Sequence, residues 1–210
     1  MSNSIILVPA RYGSSRFPGK PLAKINNRMM IEYIIENCES TGLDWSIVTD
    51  NSEIENAVKS IGGNVVRIDD DVATGSERIA LAYKRYFLDK NYERIINVQG
   101  DEPLLKGDII RQVCNDHLES DFDIYTAVKR RLTTDDEFQN VNVVKCIKSD
   151  ITNQCLYFSR ASIPASQNHE TADWYQHIGL YSYRPEALLK FVELKVSYLE
   201  SLEKLEQLRA

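Results

Sequence analysis

The sequence predicts an α/β fold with a mostly parallel central sheet flanked by helices. Apolar, β-branched runs of strand length alternate with amphipathic segments through the first half of the chain, which is the order of a parallel sheet with helices on both faces. The first run, Ile5 to Val8, leads directly into a loop rich in glycine, proline and cations. The chain has 210 residues, 43% of them apolar, which is enough to form one packed domain over residues 1–210 that includes a small lobe.

Helical periodicity and turn residues position the elements of the first half. The predicted strands are 5–8, 45–49, 64–68 and 94–98. The first predicted helix covers residues 29–40, and Gly42 ends it. The second has Ile54, Ala57, Val58 and Ile61 on its apolar face. The third is capped by Thr74 or Ser76 and runs to about Phe87.

The second half is predicted to continue the alternation less regularly. Strands are expected at 123–128 and 141–148, in the aromatic run before Arg160, and at 175–184, with a short capped helix or excursion within 129–138. Asp108 is predicted to cap one helix, and Pro185 to begin another that buries Leu188, Leu189 and Val192. Leu199, Leu202, Leu205 and Leu208 predict a last helix, whose apolar stripe is core or a subunit contact.

Composition narrows the classes of partner. The formal net charge is -6 and no run of Lys and Arg forms a stripe, which argues against nucleic acid. The four cysteines form no C-x-x-C pair, so free thiols in a reducing compartment are expected rather than a zinc site. The N-terminal apolar run is too short for a signal peptide or a membrane span, and we expect a cytoplasmic protein.

The loop over residues 9–22 is the first candidate site. It follows the C-terminal end of a predicted strand, where ligands bind in open α/β sheets, and its Arg11, Arg16 and Lys20 suit an anion. Five residues separate Gly13 from Gly19, so the loop is not a Walker A sequence, and the chain has no G-x-G-x-x-G. A surface loop with solvated cations remains the alternative.

Three further positions have both a functional and a structural interpretation. Asp101, after the strand at 94–98, would hold Mg²⁺ or cap the turn before Pro103. Arg160 would grip a substrate carboxylate or form an internal ion pair. His177, taken alone, is more typical of a core or surface histidine than of a catalyst.

Five ordered blocks resemble the sugar-activating cytidylyltransferases, and most closely the CMP-Kdo synthetase (3-deoxy-manno-octulosonate cytidylyltransferase) family. The blocks are Pro-Ala-Arg-Tyr-x-Ser-Ser-Arg-Phe-Pro-Gly-Lys-Pro-Leu from Pro9, Gly-Ser-Glu-Arg from Gly75, Gln-Gly-Asp-Glu-Pro from Gln99, His-x-Gly-x-Tyr from His177 and Leu-Glu-Gln-Leu-Arg from Leu205. The resemblance implies a Rossmann-like nucleotidyltransferase fold with a small sugar-binding and dimerisation lobe. It also implies transfer of a cytidylyl group from CTP to an acidic eight-carbon sugar, and a homodimer.

The resemblance also implies roles for individual residues. The catalytic set would be Arg11, Lys20 and Asp101, with Mg²⁺ on Asp101. Nucleotide binding would use Ala10, Arg11, Ser15, Lys20, Gly75, Ser76, Arg78, Gln99 and Gly100. Sugar binding would use Arg160, His177, Tyr181, Glu206 and Gln207. Lys145 is a further candidate, although Asn140-Val141 replaces the usual Asp-Pro ahead of it.

One departure from the family opens other interpretations. The family continues past Leu-Glu-Gln-Leu-Arg to a second Mg²⁺ carboxylate, whereas this sequence stops at Ala210. The sequence is then a truncated form, or Glu102 compensates, or the protein is a non-catalytic nucleotide- or sugar-binding paralogue. A nucleotide-sugar glycosyltransferase is a third hypothesis, disfavoured by the single acid in Gln99-Gly100-Asp101. The sequence does not separate Kdo from an amino-substituted Kdo.

Overall fold

A computed structural model describes residues 3–13, 17–167 and 170–210. The strands are β1 (Ser4–Ala10), β2 (Lys24–Ile25), β3 (Arg28–Met29), β4 (Asp44–Thr49), β5 (Val65–Arg67), β6 (Arg94–Val98), β7 (Ile124–Leu132), β8 (Lys145–Lys148), β9 (Cys155–Ser159) and β10 (Asp173–Tyr183). The helices are α1 (Met30–Ser40), α2 (Ser52–Ser60), α3 (Gly75–Ala82), α4 (Gly107–Leu118), α5 (Pro185–Glu193) and α6 (Tyr198–Glu203). In the described ranges, no helix is long and apolar enough to cross a membrane.

The chain divides into two compact units. Unit 1 comprises Met1–Tyr125 and Gly179–Val192, and unit 2 comprises Thr126–Ile178 and Glu193–Ala210. Strand β10 passes from unit 2 into unit 1 at Gly179. The expectation of a single domain over residues 1–210 stays a prediction.

The sheet of unit 1 has the predicted mostly parallel character. Its strand order is β5-β4-β1-β6-β10, in which the first four strands are parallel and β10 runs antiparallel to β6. Strand β1 lies inside this sheet, and Ile5, Ile6, Leu7 and Val8 are each at most 1% exposed. An unbroken apolar run is what a strand covered on both faces requires. The carboxyl ends of β1 and β6 therefore lie side by side.

Helix boundaries in unit 1 follow local side-chain chemistry. Asn51 caps α2 by accepting hydrogen bonds from the N–H groups of Glu53 and Ile54. The prediction that Asp108 caps a helix is wrong, because α4 begins one residue earlier and its N-cap is Lys106. The Asp108 carboxylate instead accepts from the Ile109 N–H within the first turn.

Two helices of unit 1 differ in detail from the predictions. Helix α3 ends at Ala82 and continues as a π-helical turn over Tyr83–Phe87, so the predicted end near Phe87 is reached in a wider helical conformation. In α5, Leu188 is buried as predicted, but the second buried side chain is Phe191. The predicted burial of Leu189 and Val192 is only partial, because these residues lie at the margin of the core cluster.

Unit 2 is built on antiparallel pairing. Strand β8 pairs antiparallel with β9 and with the first half of β10, and a small core forms around Cys146, Phe158 and Leu205. The predicted strand over 141–148 is wrong for its first four residues. The Asn140 carbonyl accepts from the Val143 N–H, and this turn holds the chain out of the ladder until Lys145.

The predicted last helix is two short helices. Helix α6 has a capping box between Ser197 and Glu200, and a 3₁₀ helix over Glu206–Arg209 follows it. Lys204 separates them with φ of 54°, in the left-handed region, which ends the first helix. The leucine stripe divides accordingly, since Leu205 is buried whereas Leu202 is 66% exposed.

Candidate active site

The carboxyl ends of β1 and β6 touch at a glycine. Leu7 pairs with Asn97 in the parallel ladder, which brings the segments after the two strands level with each other. A Cβ atom at Gly100 would lie 2.6 Å from the carbonyl oxygen of Pro9, a distance that no side chain can adopt without a backbone shift. Glycine at position 100 therefore permits the Gln99-Gly100-Asp101 turn to pack directly on the end of β1.

The first turn of α3 lies against the same strand end. A Cβ atom at Gly75 would be 3.1 Å from Cγ of Pro9, so this position also favours the smallest residue. Thr74 caps the helix, its hydroxyl accepting from the Glu77 N–H at 3.2 Å, and Ser76 is buried. The N-terminus of a helix attracts anions through its unpaired N–H groups and its dipole. Strand β1 thus ends beside a helix N-terminus suited to phosphate.

The opening loop is closed by a backbone hydrogen bond. The Gly19 N–H donates to the Tyr12 carbonyl at 2.9 Å, and Gly19 has φ of 68°, where glycine is favoured. Lys20 follows as the first residue of a short 3₁₀ helix. Arg11 is exposed at the start of the loop. Ser15, predicted to bind nucleotide, and its neighbour Arg16 lie outside the described residues.

Lys20 and Asp101 form the central ion pair of the site. Nζ of Lys20 lies 2.9 Å from Oδ2 of Asp101, and the two side chains are 37% and 55% exposed. A pair this exposed contributes little to folding stability, on the order of 0–1 kcal/mol. The pair joins the loop that follows β1 to the turn that follows β6. Its exposure and its small contribution to stability favour a role in ligand binding over a role in stabilising the fold.

The carboxylates at this turn are unequal. Burial raises the pKa of Glu102, and the neighbouring charge of Asp101 raises it further, while Lys20 opposes the shift. Asp101 is the acid that lies against the ammonium of Lys20. The turn therefore offers two adjacent carboxylates, of which Asp101 is the one paired with Lys20.

The oxygen donors fit a hard divalent cation that is shared with a substrate. Mg²⁺ is usually bound through one or two carboxylates together with substrate phosphates and water, rather than by a complete protein cage. Among the described residues no group of three or more His, Cys, Asp or Glu side chains could hold a metal ion. Asp101 suits a cation shared with a substrate, because it is a single carboxylate beside a helix N-terminus that is suited to phosphate.

Two predicted nucleotide residues have structural contacts within unit 1. Arg78 is 5% exposed and forms an ion pair with Asp50 at 2.9 Å, and its Nη1 donates to the Ile68 carbonyl at 2.6 Å. The side-chain amide of Gln99 lies 3.4 Å from Oδ1 of Asn97. These contacts explain the packing of both residues, and their nucleotide roles stay predictions.

Tyr181, predicted to contact sugar, also belongs to unit 1. It lies opposite Asn97 in the β6–β10 ladder, and its ring stacks on that of Tyr183 with centroids 5.9 Å apart. The ring packs at the margin of the hydrophobic core cluster of unit 1.

Arg160 in unit 2 is held by main-chain carbonyls. Its Nε donates to the Glu203 carbonyl at 2.8 Å and its Nη1 to the Val141 carbonyl at 3.1 Å. The carboxylate of Glu203 accepts from the Arg160 N–H at 2.9 Å and from the Ser159 hydroxyl at 2.6 Å. Sequence reasoning missed Glu203, because no motif or spacing distinguishes it from Glu200, the other acid of α6.

His177 is positioned by a hydrogen bond and held neutral. Nε2 lies 3.0 Å from the Thr126 hydroxyl, and the ring meets Phe158 edge-on with centroids 4.9 Å apart. Burial lowers the pKa of His177 to about 4, so the imidazole is uncharged at neutral pH. At neutral pH the imidazole has one nitrogen that donates and one that accepts a hydrogen bond, and it carries no positive charge.

The remaining candidates of unit 2 differ in character. Glu206 and Gln207 lie partly buried on the 3₁₀ helix that follows α6. Lys145 is fully buried, and its ammonium donates to the carbonyls of Asn140, Val143 and Arg160. Lys145 thus anchors main-chain segments, which is a structural role that accounts for its burial.

Comparison with known proteins identifies the family. A parallel α/β sheet whose strand-end loops carry a lysine–carboxylate pair and closely packed glycines is typical of nucleotide-binding α/β proteins. More narrowly, residues 5–210 match the cytidylyltransferase family, and the chain belongs to that family. The resemblance inferred from the sequence blocks is therefore confirmed.

Curated relatives and a solved structure narrow the similarity further. The chain is 38% identical to the 3-deoxy-manno-octulosonate cytidylyltransferase of Idiomarina loihiensis, over 97% of this chain and 84% of the relative. It is 41% identical to the 8-amino-3,8-dideoxy-manno-octulosonate cytidylyltransferase of Shewanella pealeana, over 99% and 85%. The structure of a CMP:2-keto-3-deoxy-manno-octonic acid synthetase complexed with CTP superposes with a TM-score of 0.90 at 31% identity, covering 99% of this chain and 85% of that one.

Proposed function

We propose that this protein transfers the cytidylyl group of CTP to the anomeric hydroxyl of Kdo or a close analogue, releasing pyrophosphate. The observation that carries the proposal is the Lys20–Asp101 pair, set where the loops after β1 and β6 meet. Its relatives include cytidylyltransferases named for 3-deoxy-manno-octulosonate (Kdo) and for its 8-amino-3,8-dideoxy analogue (8-amino-Kdo). These names do not favour the alternative of a non-catalytic binding protein. The CMP-sugar would serve lipopolysaccharide synthesis.

The nucleotide end of the reaction would be served by unit 1. Nucleotidyl transfer needs the attacking oxygen, the α-phosphorus and the leaving pyrophosphate in line, with compensation of the charge that develops on the phosphates. Lys20 and Arg11 would supply positive charge, and the first turn of α3 would supply N–H donors. Gly75 and Gly100 let the first turn of α3 and the turn that carries Asp101 pack against the end of β1, which brings these groups to one place.

Mg²⁺ is the proposed cofactor, held by Asp101. When bound, the cation would neutralise phosphate charge and orient the α-phosphate. Lys20 would then have two tasks, because its ammonium lies 2.9 Å from the Asp101 carboxylate and would also donate to an oxygen of a bound phosphate. Glu102 follows Asp101 on the same turn and is the candidate for a second ligand.

The sugar end would use the predicted residues Arg160, His177, Tyr181, Glu206 and Gln207. The neutral imidazole of His177 suits a hydroxyl of the sugar better than its carboxylate, because it brings no positive charge. Arg160 already donates to backbone carbonyls, so a sugar carboxylate would have to use its remaining N–H groups.

A homodimer in the cytoplasm completes the proposal. In unit 2, the large apolar side chains of Leu156, Tyr198 and Leu202 are 61%, 78% and 66% exposed. Contiguous exposed apolar surface marks interaction sites. We propose that these residues contribute to a contact with a second copy of the chain.

Pyrophosphate release with matched sugars tests the proposal. The purified chain would be incubated with CTP and Mg²⁺ alone, with Kdo, or with 8-amino-Kdo. We expect release only when CTP, Mg²⁺ and one of the two sugars are all present, and the ratio of kcat/KM for the two sugars identifies the substrate. Release that is independent of sugar, or no release with either sugar, would contradict the proposed reaction.

A further inference from the structure

Two cysteines lie together in the core of unit 2, apart from the residues assigned to the reaction. Cys146 is on β8 and Cys155 is on the neighbouring strand β9. Both belong to the cluster around Phe158 and Leu205, in which Cys146 is 1% exposed and Cys155 is only partly buried. Cys155 packs against the cluster that contains Cys146, so the two thiols share one small core.

A β-bulge brings the two thiols to the same face of the sheet. Cys146 pairs with Phe158 and Ile147 with Tyr157, but Lys148 then pairs with Cys155, so Leu156 is the extra residue of the bulge. In a regular ladder, Cys155 and Phe158 would point to opposite faces, because side chains alternate along a strand. The bulge reverses this alternation, turning Cys155 towards Cys146 and leaving Leu156 61% exposed.

The surroundings give the two thiols different reactivity. The Cys146 thiol, together with the positive charge of Lys148, lowers the pKa of Cys155 against the opposing effect of burial. The Cys155 thiol and the burial of Cys146 raise the pKa of Cys146. Cys155 is therefore the thiol that more readily becomes a thiolate, and it is also the more accessible of the two.

We propose that Cys146 and Cys155 form a redox modification site that closes to a reversible disulfide in the presence of a low-molecular-weight disulfide oxidant. The Cys155 thiolate, its proton released to water, attacks one sulfur of the oxidant, which forms a mixed disulfide and expels the first oxidant thiolate. The Cys146 sulfur loses its proton and attacks Sγ of Cys155, which forms the protein disulfide and expels the second thiolate. The two cysteines lose two electrons and two protons, and the oxidant is reduced to two thiols.

The remaining cysteines provide an internal comparison. Cys38 and Cys114 are both buried in unit 1, and burial raises the pKa of Cys38 to about 12. A thiol as deeply buried as that of Cys38 rarely ionises and reacts slowly with disulfides, and burial of Cys114 limits the access of an oxidant to its sulfur. Under native conditions oxidation is therefore expected to select the Cys146–Cys155 pair.

Thiol mapping of the folded, full-length chain tests the site without reference to catalysis. The protein would be equilibrated with mixtures of reduced and oxidised glutathione, quenched with acid, denatured, alkylated and digested with trypsin. Titratable thiols are expected to fall from four to two, and a linked peptide joining Cys146–Lys148 to the segment that ends at Arg160 is expected. Excess reduced glutathione should restore all four thiols.

Single substitutions separate the two steps. Cys146→Ala is expected to leave Cys155 as a mixed disulfide with glutathione, whereas Cys155→Ala is expected to leave Cys146 unmodified. Four persisting thiols in the wild-type chain, or glutathione accumulating on Cys155 while Cys146 stays reduced, would overturn the proposal. This wild-type result is decisive even if a variant fails to fold, and it does not depend on whether the chain turns over CTP.

Discussion

At the scale of single residues, Lys20 and Asp101 are the pair on which the proposed reaction depends. Asp101→Asn keeps the shape of the side chain but removes its charge, so Mg²⁺ would lose its ligand and Lys20 its counter-ion. We expect a loss of about 10²-fold or more in turnover, comparable to removal of one electrostatic contact to a transition state. Steady-state pyrophosphate release measures the effect.

Because the Lys20–Asp101 pair is exposed, the Asp101→Asn substitution tests activity with little effect on folding stability. The side chains are 37% and 55% exposed, so stability should change by less than about 1 kcal/mol. Lys59→Met breaks an exposed pair with Glu55 and is the matched control, since it should alter neither turnover nor the urea midpoint. Retention of most activity by the Asp101→Asn variant would remove Asp101 from the proposed mechanism.

Gly100 makes a separate prediction about packing. In Gly100→Ala the new methyl group would lie 2.6 Å from the Pro9 carbonyl oxygen, and the turn that carries Asp101 would have to move. We expect a destabilisation of about 1–3 kcal/mol, together with a loss of activity larger than stability alone explains. Gly13→Ala is the control for stability, because among the described residues its methyl group would meet nothing within 4 Å. Equal urea midpoints for the two variants would contradict the close approach of the strand ends.

At the scale of elements, the 3₁₀ helix that follows α6 is held by a buried ion pair. Arg209 and Glu200 are 3% and 8% exposed, and they share two hydrogen bonds at 2.6 and 3.0 Å. The Arg209→Met substitution would leave Glu200 buried without its counter-ion. We expect a loss of about 3–5 kcal/mol in the free energy of unfolding, measured by urea denaturation.

The double variant shows whether the cost comes from the uncompensated charge. Adding Glu200→Gln to Arg209→Met removes the buried charge, and it should recover a large part of the stability. A double variant no more stable than the single one would show that the segment is held by other contacts. Burial of Leu205 just before this 3₁₀ helix is the principal alternative contact.

Prediction from sequence succeeds at this scale wherever a pattern has a single local cause. A short apolar run that leads into a turn-rich loop is typical of a buried strand, and the structure buries all four residues of the strand predicted at 5–8. The helix predicted at 29–40 from its period is α1, Met30–Ser40. The prediction for Asp108 fails because a residue of capping type also occurs within the first turn, and only the backbone conformation distinguishes the two positions.

The parts that could not be predicted depend on contacts distant in sequence or on one backbone angle. The leucine spacing over residues 199–208 is helical throughout, yet the left-handed conformation of Lys204 breaks it. Glu203 lies 43 residues from the Arg160 N–H whose hydrogen bond it accepts, and no local pattern indicates such a bond. The sequence blocks identified the loops after β1 and β6, but their contact through Gly100 required the fold.

At the scale of the whole molecule, the buried His117 and the half-buried His177 make stability depend on pH. Burial lowers the pKa of His117 and of His177 to about 4, below an unfolded value of about 6.5. Between these values the unfolded chain binds protons that the native chain does not, so the free energy of unfolding should fall as pH drops from about 6.5 to about 4. Each histidine contributes up to about 1.4 kcal/mol per pH unit in that window.

Substitution of one histidine isolates its share of this dependence from that of the carboxylates. His117 is fully buried between the Ser182 hydroxyl and the Phe122 carbonyl, and His117→Gln retains a donor and an acceptor but does not titrate. Urea unfolding at a series of pH values should give a shallower slope for the variant than for the wild type between about pH 4 and about pH 6.5. Parallel slopes would contradict the lowered pKa of His117.

The measurement that tests the central claim most directly follows the α-phosphate itself. CTP labelled at the α-phosphorus would be incubated with Mg²⁺, Kdo and the 210-residue chain, and the labelled products separated. Cytidylyl transfer predicts that the label moves from CTP into CMP-Kdo at the rate at which pyrophosphate appears. Label found only in CTP, or released as free CMP without forming a sugar conjugate, would contradict the claim that this chain activates Kdo.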